Sequence, residues 1–346
     1  MPNDTPTEIW FTRCGGATAS TIAIQNEWLQ AEFPEGSDVK LCSLLDNQNP
    51  DIRESHFDHS IPSLFREGGN IPPIWTRSKG VDTVTLGITW VDEYQTIVSR
   101  AGSAIRSVGD LAGKRLAVPL YKNVSIDFFR GSAFHGFANA LGLEGLGRDD
   151  VDFVDVEIES QRGMRQGGRP SGAAELDALR TGTVDAVFLR QGTGLQLFQE
   201  QAADLQVVID LSNHPDPLRR VNNGTPRPIT VHRDFLNSHR DLVVRYLAVL
   251  FRSAAWAEAH PHDAIRLIAK EDGRVGETIT AAAYPLLATS LTPSLSAAYI
   301  AGLDAQKNFL RDWGFLADDF ATRDWIVEGP LEEARALVAR EARFAA

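Results

Sequence analysis

Cysteine is nearly absent: Cys14 and Cys42 are the two thiols in 346 residues. Two such residues make neither a disulfide framework nor a metal cluster, and they fit a reducing compartment. No apolar run approaches the roughly 18 residues of a membrane span. The opening MPNDTPTE has no basic start and no apolar stretch, so no secretory signal is legible and a cytoplasmic location is expected. Basic residues are in deficit, 34 Lys and Arg against 46 Asp and Glu, for a net charge of −12. That balance argues against nucleic-acid wrapping and against docking on anionic lipid. Any bound anion must be held by local cations, because the overall field opposes it. There is no P-loop, no GxGxxG after a strand, no HExxH and no GxSxG. His260 and His262 flank Pro261 at a spacing better suited to a capping loop than to a metal pair. No metal and no cofactor are expected.

What is present is ordinary in bulk, with 43% apolar and 23% charged residues, and long enough for about two domains. Residues 8–14 read as a short buried strand, 17–33 as a helix and 38–45 as a second strand, which together make a parallel βαβ unit. Further strands are expected at 84–89, 152–158, 184–189, 205–211 and 229–231, and residues 111–119 read as a turn feeding a strand. Helices are expected at 121–140, 173–180, from 237 to 256, and through most of the chain after 277. Strands alternating with helices, with one excursion and one return, give an α/β fold of two lobes around a cleft. Lobe one is expected at 1–95 plus 226–346, and lobe two at 96–225.

Chemistry concentrates in residues 55–73, SHFDHSIPSLFREGGNIPP, which look too broken for a regular element, with at most a short helix starting at 61–65. His56 or His59 offers acid–base capacity. Arg66 offers a planar fork for two oxygens, with a surface ion pair as the competing reading. Gly68 and Gly69 let backbone N–H groups approach an oxyanion, although a glycine pair also ends helices. Cys14 ends the first strand, where open α/β sheets place their ligand crevice, and a thiol before a helix has a lowered pKa. Cys42 lies inside its strand and reads as a small buried hydrophobe. Asn123 and Ser125, at the expected start of the 121–140 helix, are placed to close on a ligand. Trp10, Phe57, Trp75 and Trp90 are placed to stack on a ring, with core packing as the plainer alternative.

At LAGKRLAVP, RTGTVDAVFL and SHRDLVVRYLAVLFRSAAWAEAHP the chain resembles the type II periplasmic-binding-protein superfamily, in the branch of nitrate, sulfonate and taurine binders and thiamine-pyrimidine relatives. Cys14, His56-Phe57 and Arg66-x-Gly68-Gly69-x-Ile71-Pro72-Pro73, with LGITW at 86–90, resemble the hydroxybiphenyl sulfinate desulfinases. That resemblance selects His56 over His59 and implies a site of Cys14, His56, Arg66 and Gly69. It implies a cofactor-free, monomeric enzyme that releases sulfite from an organic sulfinate, a small-molecule anion. Glu67 and Asn70, and Gly15-Gly16 after the cysteine, depart from that pattern. Two other functions fit the same residues: a sulfonate- or nitrate-type binding protein serving a transporter, and an aromatic-acid decarboxylase.

Overall fold

The computed structural model describes residues 7–12, 15–158 and 170–345. The first βαβ unit forms as β1 (Thr7–Phe11), α1 (Ala19–Gln25), α2 (Trp28–Glu32) and β2 (Val39–Ser43), with β1 and β2 parallel. The single helix expected at 17–33 is two. Asn26 caps the first, and Glu27 takes a left-handed conformation at φ 58° before the second.

The stretch expected to be irregular is instead built of regular elements: α3 (Pro50–Asp58), β3 (Leu64–Glu67) and α4 (Ile71–Ser78). Asn49 caps α3 with its side chain on the Asp51 N–H at 2.9 Å, and Pro50 opens it. Pro72 and Pro73 sit in the first turn of α4, where a missing N–H does no harm. Residues 64 and 65, expected in a helix, begin β3 because they pair in parallel with Trp10 and Phe11.

β4 (Thr83–Thr89) precedes the crossing into β5 (Gln95–Arg100). Then come β6 (Arg115–Tyr121), α5 (Phe128–Leu141), β7 (Asp152–Ile158), α6 (Ala173–Arg180), β8 (Ala186–Arg190), α7 (Gln191–Glu200) and β9 (Leu205–Asp210). The return is β10 (Arg227–His232), followed by α8 (Arg233–Ser238), α9 (Arg240–Ala259), α10 (Pro261–Asp272), α11 (Glu277–Ala283), α12 (Ala297–Asp312), α13 (Thr322–Trp325) and α14 (Gly329–Ala345). Among the described residues, no helix is long and apolar enough to cross a membrane.

The strands form two five-stranded sheets, ordered β2-β1-β3-β10-β4 and β7-β6-β8-β5-β9. Each has three parallel strands followed by an antiparallel one, β10 or β5. That strand comes from the far side of a crossing: β5 follows the first lobe into the second, and β10 follows the second back into the first. This reciprocal pattern defines a two-lobed α/β fold of the periplasmic-binding-protein type. α9 covers one face of the first sheet with Tyr246, Leu247, Leu250 and Ala254. A separate apolar cluster joins the lobes, packing Ile71, Ile74 and Leu310 against Ile126 and Phe128.

Candidate functional site

The carboxyl edge of the first sheet gathers the residues the sequence singles out. Thr12, just past β1, donates its backbone N–H to the Phe65 carbonyl at 3.2 Å and its hydroxyl to the Glu67 carbonyl at 3.1 Å. The chain leaving β1 is thereby stapled beside Arg66. Cys14, two residues on, lies outside the described residues.

His56 sits in the last turn of α3, and the end of that helix gives its carbonyl a use. The residue that would continue the helix ladder, Ser60, turns its N–H to the Asp58 carboxylate at 3.0 Å. Arg66 takes the carbonyl instead, donating Nε–H to His56 O at 2.7 Å. A cation at a helix C-terminus also opposes the macrodipole. Both side chains are almost wholly enclosed, His56 at 5% and Arg66 at 1% exposure. Burial first, then the Arg66 cation and His59, hold the His56 imidazole well below its usual pKa. It is therefore neutral at pH 7, and its Nδ1 has no hydrogen-bond partner among the described residues.

His59 has a different place. It ends α3 in the left-handed region at φ 53°, pairs Nε2 with the Thr230 hydroxyl at 3.0 Å, and accepts His232 Nε2 on its carbonyl at 2.6 Å. It pins α3 to β10. Its pKa is also held well down, by burial first and then by His232 and Arg66.

Gly69 is a glycine for packing. A Cβ there would meet the Asn223 side chain at 2.6–2.9 Å. Asn223 accepts the Ile71 N–H on Oδ1 at 3.0 Å, and its carbonyl takes the Asn70 N–H at 2.8 Å. Asn70 in turn donates Nδ2–H to the carbonyls of Asn222 and Pro226, at 2.8 and 2.9 Å. The Gly68-Gly69 pair thus links β3 to α4 rather than capping a helix, and the crossing back from lobe two is bolted onto it.

Of the second-lobe candidates, the structure brings one to the site. Ser125 donates its hydroxyl to the Glu54 carboxylate, two residues before His56. Asn123 lies in an exposed turn at φ 63°, not at a helix start. The expected helix at 121 begins at Phe128, because Asp127 caps it on Arg130 N at 2.9 Å and holds Tyr121 N at 2.7 Å. Phe57 stacks across the seam on Phe128, with centroids 5.9 Å apart and planes at 18°. Phe129 and Tyr121 continue this line of rings at 4.2 and 4.7 Å. Trp10 shares the Arg66 face of the sheet but sits back from the edge, in register with Leu64. Glu8, two residues before it on the strand, is paired with Lys40 at 2.7 Å. Trp75 and Trp90 pack with the cluster joining the lobes and with Tyr299, respectively. Cys42 is buried in β2, which raises its pKa.

Four acidic and basic groups near this edge had no role assigned from the sequence: Glu67, noted only as a departure from the pattern, and Glu93, Arg190 and Arg227. Glu67, on the opposite face from Arg66, accepts the Ala19 and Ser20 N–H groups at 3.3 and 2.9 Å and closes the start of α1. Burial raises its pKa. Glu93, fully enclosed at the crossing, bridges Arg190 and Arg227. Gly224 is obligatory beside it, since a Cβ would overlap the carboxylate. A single Glu between lobe boundaries carries no motif, so only the fold reveals this triad. Among the described residues no group of three or more His, Cys, Asp or Glu is placed to hold a metal ion.

The fold belongs to a class that includes both enzymes and solute-binding proteins. A crystal structure of the desulfurization enzyme DSZB superposes with a TM-score of 0.73 at 21% identity, over 96% of this chain and 99% of that one. A cysteine-to-serine variant of DSZB in complex with biphenyl-2-sulfinic acid gives a TM-score of 0.73 at 20% identity, over 96% and 99%. The periplasmic aliphatic sulphonate binding protein SsuA from Escherichia coli gives 0.65 at 18% identity, over 94% and 98%. No protein-family model matches the chain, and no curated protein matches it by sequence.

Proposed function

We propose that this chain is a cofactor-independent desulfinase that cleaves the carbon–sulfur bond of an organic sulfinate. The net reaction is R–SO₂⁻ plus water to R–H plus bisulfite. The observation that carries this reading is the enclosed pair His56 and Arg66: a neutral imidazole whose Nδ1 has no partner among the described residues, fixed beside a guanidinium at the strand edge from which the chain runs to Cys14. A binding protein needs the cation to hold its anion, but it has no use for a neutral base. In this proposal His56 takes the Cys14 proton or orients the thiol. Arg66 holds the sulfinate oxygens in the site's low dielectric. The Cys14 thiolate then attacks sulfur, the carbon–sulfur bond breaks and the departing carbon takes the proton back from His56 to give R–H; water hydrolyses the Cys14–S–SO₂⁻ adduct to bisulfite and the free thiol. Alternatively, Cys14 protonates the ring carbon as sulfur dioxide leaves. The same residues serve both routes. The likeness to DSZB, whose variant was solved with a sulfinate, supports the substrate class.

The second reading, a sulfonate-type binding protein, is favoured by the SsuA structures, including one from Xanthomonas axonopodis pv. citri bound to MOPS, with a TM-score of 0.64 at 18% identity over 95% of this chain and 100% of that one. One experiment separates the two: purified protein is incubated with aryl and alkyl sulfinates, sulfonates and carboxylates, and sulfite and CO₂ are measured. Sulfite formation that disappears in Cys14→Ser supports the desulfinase. Tight sulfonate binding without turnover, unchanged in Cys14→Ser, would replace it with the binding protein, and CO₂ release with a decarboxylase.

A further inference from the structure

Away from the strand edge, a groove of ≈ 320 Å³ lies between α5, the turn around residue 148 and the end of α12. It is lined by Arg130, Phe134, Arg148, Trp313, Gly314 and Phe315. Its floor is aromatic: Phe134 and Trp313 lie 4.8 Å apart, and Phe153 meets Trp313 edge-on at 5.7 Å. Two guanidiniums stand over these rings, Arg130 at 4.8 Å from Phe134 and Arg148 at 5.0 Å from Trp313. Arg130 is paired with Asp155 at 2.7 Å. Arg148 makes no ion pair with any carboxylate among the described residues; it lies over the indole face. Gly314 ends α12 at φ 75°, with open space where a Cβ would stand.

We infer that this groove is a second binding site, for a planar aromatic ring carrying one anionic group. The volume suits a one- or two-ring compound. A flat ring can displace the Arg148 guanidinium from the indole and lie against Trp313 and Phe134, and the carboxylate, sulfonate or sulfinate it carries then pairs with Arg148. The nearby acids are engaged elsewhere: Asp150 accepts the Gly147 N–H at 2.7 Å, and Asp312 pairs with Arg311 at 2.8 Å. Because α5 belongs to the second lobe and α12 packs on the first, an occupant touches both and stabilises their association in proportion to its occupancy. The site stands independently of the chemistry proposed for His56 and Arg66.

The test uses the full chain with ¹⁵N-labelled indoles, naphthalene-2-sulfonate as probe and cyclohexanesulfonate as its aliphatic control. The Trp313 signal is assigned by its loss in Trp313→Phe. The probe shifts that signal in the wild type, the control leaves it in place, and Arg148→Ala raises the apparent Kd by at least about tenfold. Arg148 is exposed, so the variant retains the fold. His56→Ala keeps the wild-type shift, which separates this groove from the strand-edge site. A Trp313 signal that does not move, that moves equally in Arg148→Ala, or that responds equally to the aliphatic control overturns the inference.

Discussion

His56 serves through two of its groups. Its carbonyl, released by the end of α3, anchors Arg66, while its ring stays neutral. Arg66 uses Nε for that anchor, a division of labour that a lysine cannot reproduce. Arg66→Lys should therefore lower kcat/KM for sulfite release by about a hundredfold, the worth of a charge-assisted hydrogen bond or two, with the thermal midpoint measured alongside to confirm folding. At this scale the sequence was a good guide to residue types and a poor one to geometry. Histidine, arginine and glycine in one stretch announced a site. That Gly69 makes room for Asn223, some 150 positions away in the chain, was invisible because nothing local encodes it. Glu67 was noticed as a departure from a pattern, and its part in closing the start of α1 emerged only when β3 met α1.

At the scale of elements, α3 and α4 are the instructive pair. The Asn49-Pro50-Asp51 start of α3 is a legible capping signal, and Pro at the first turn is a favoured helix opening. Reading residues 55–73 as too broken for a regular element hid α4 and the last turn of α3. The long, strongly periodic α9 and the apolar strands were legible because their patterns are set by one buried face each. The joint between β3 and α4 is tightly constrained by Asn223 and Asn70. Gly69→Ala should lower stability by about 1–3 kcal/mol through overlap with Asn223, read from chemical denaturation. The same substitution should reduce turnover more than it reduces stability, because the joint also sets the register of Arg66.

For the whole molecule, three buried histidines govern the response to acid. Burial, followed by neighbouring cationic groups, lowers His56 and His59 well below 6.5, and burial pushes His135 down to about 4. With folded values below the unfolded one, the unfolded chain binds more protons. Their stabilising effect is complete above about 6.5 and is lost as pH falls from there toward the folded values. Stability should therefore fall between pH 6.5 and 4. In His135→Gln the slope should be shallower by up to about 1.4 kcal/mol per pH unit. Denaturant midpoints across that range check the sign; a slope unchanged in His135→Gln would remove His135 from the account. Glu67, whose pKa is raised, works in the opposite sense above 4.5 and moderates the loss.

The strand order of the first sheet also sets a timetable for synthesis. β10 fills the slot between β3 and β4, so β4 is not joined to the rest of its sheet until residue 232 has left the ribosome. By then every strand of the second sheet, which ends at Asp210, has been made. The lobe encoded in the middle of the chain can close first, while the lobe that begins the chain waits with β4 unpaired and without the cover of α9. Chains arrested with residue 215 just outside the ribosome should show protease protection of β5 to β9 and cleavage among β1 to β4. Release of a few dozen more residues, enough to add β10 and α9, should protect both. The proposed chemistry at His56 and Arg66 is thus assembled last, although its residues are among the first translated.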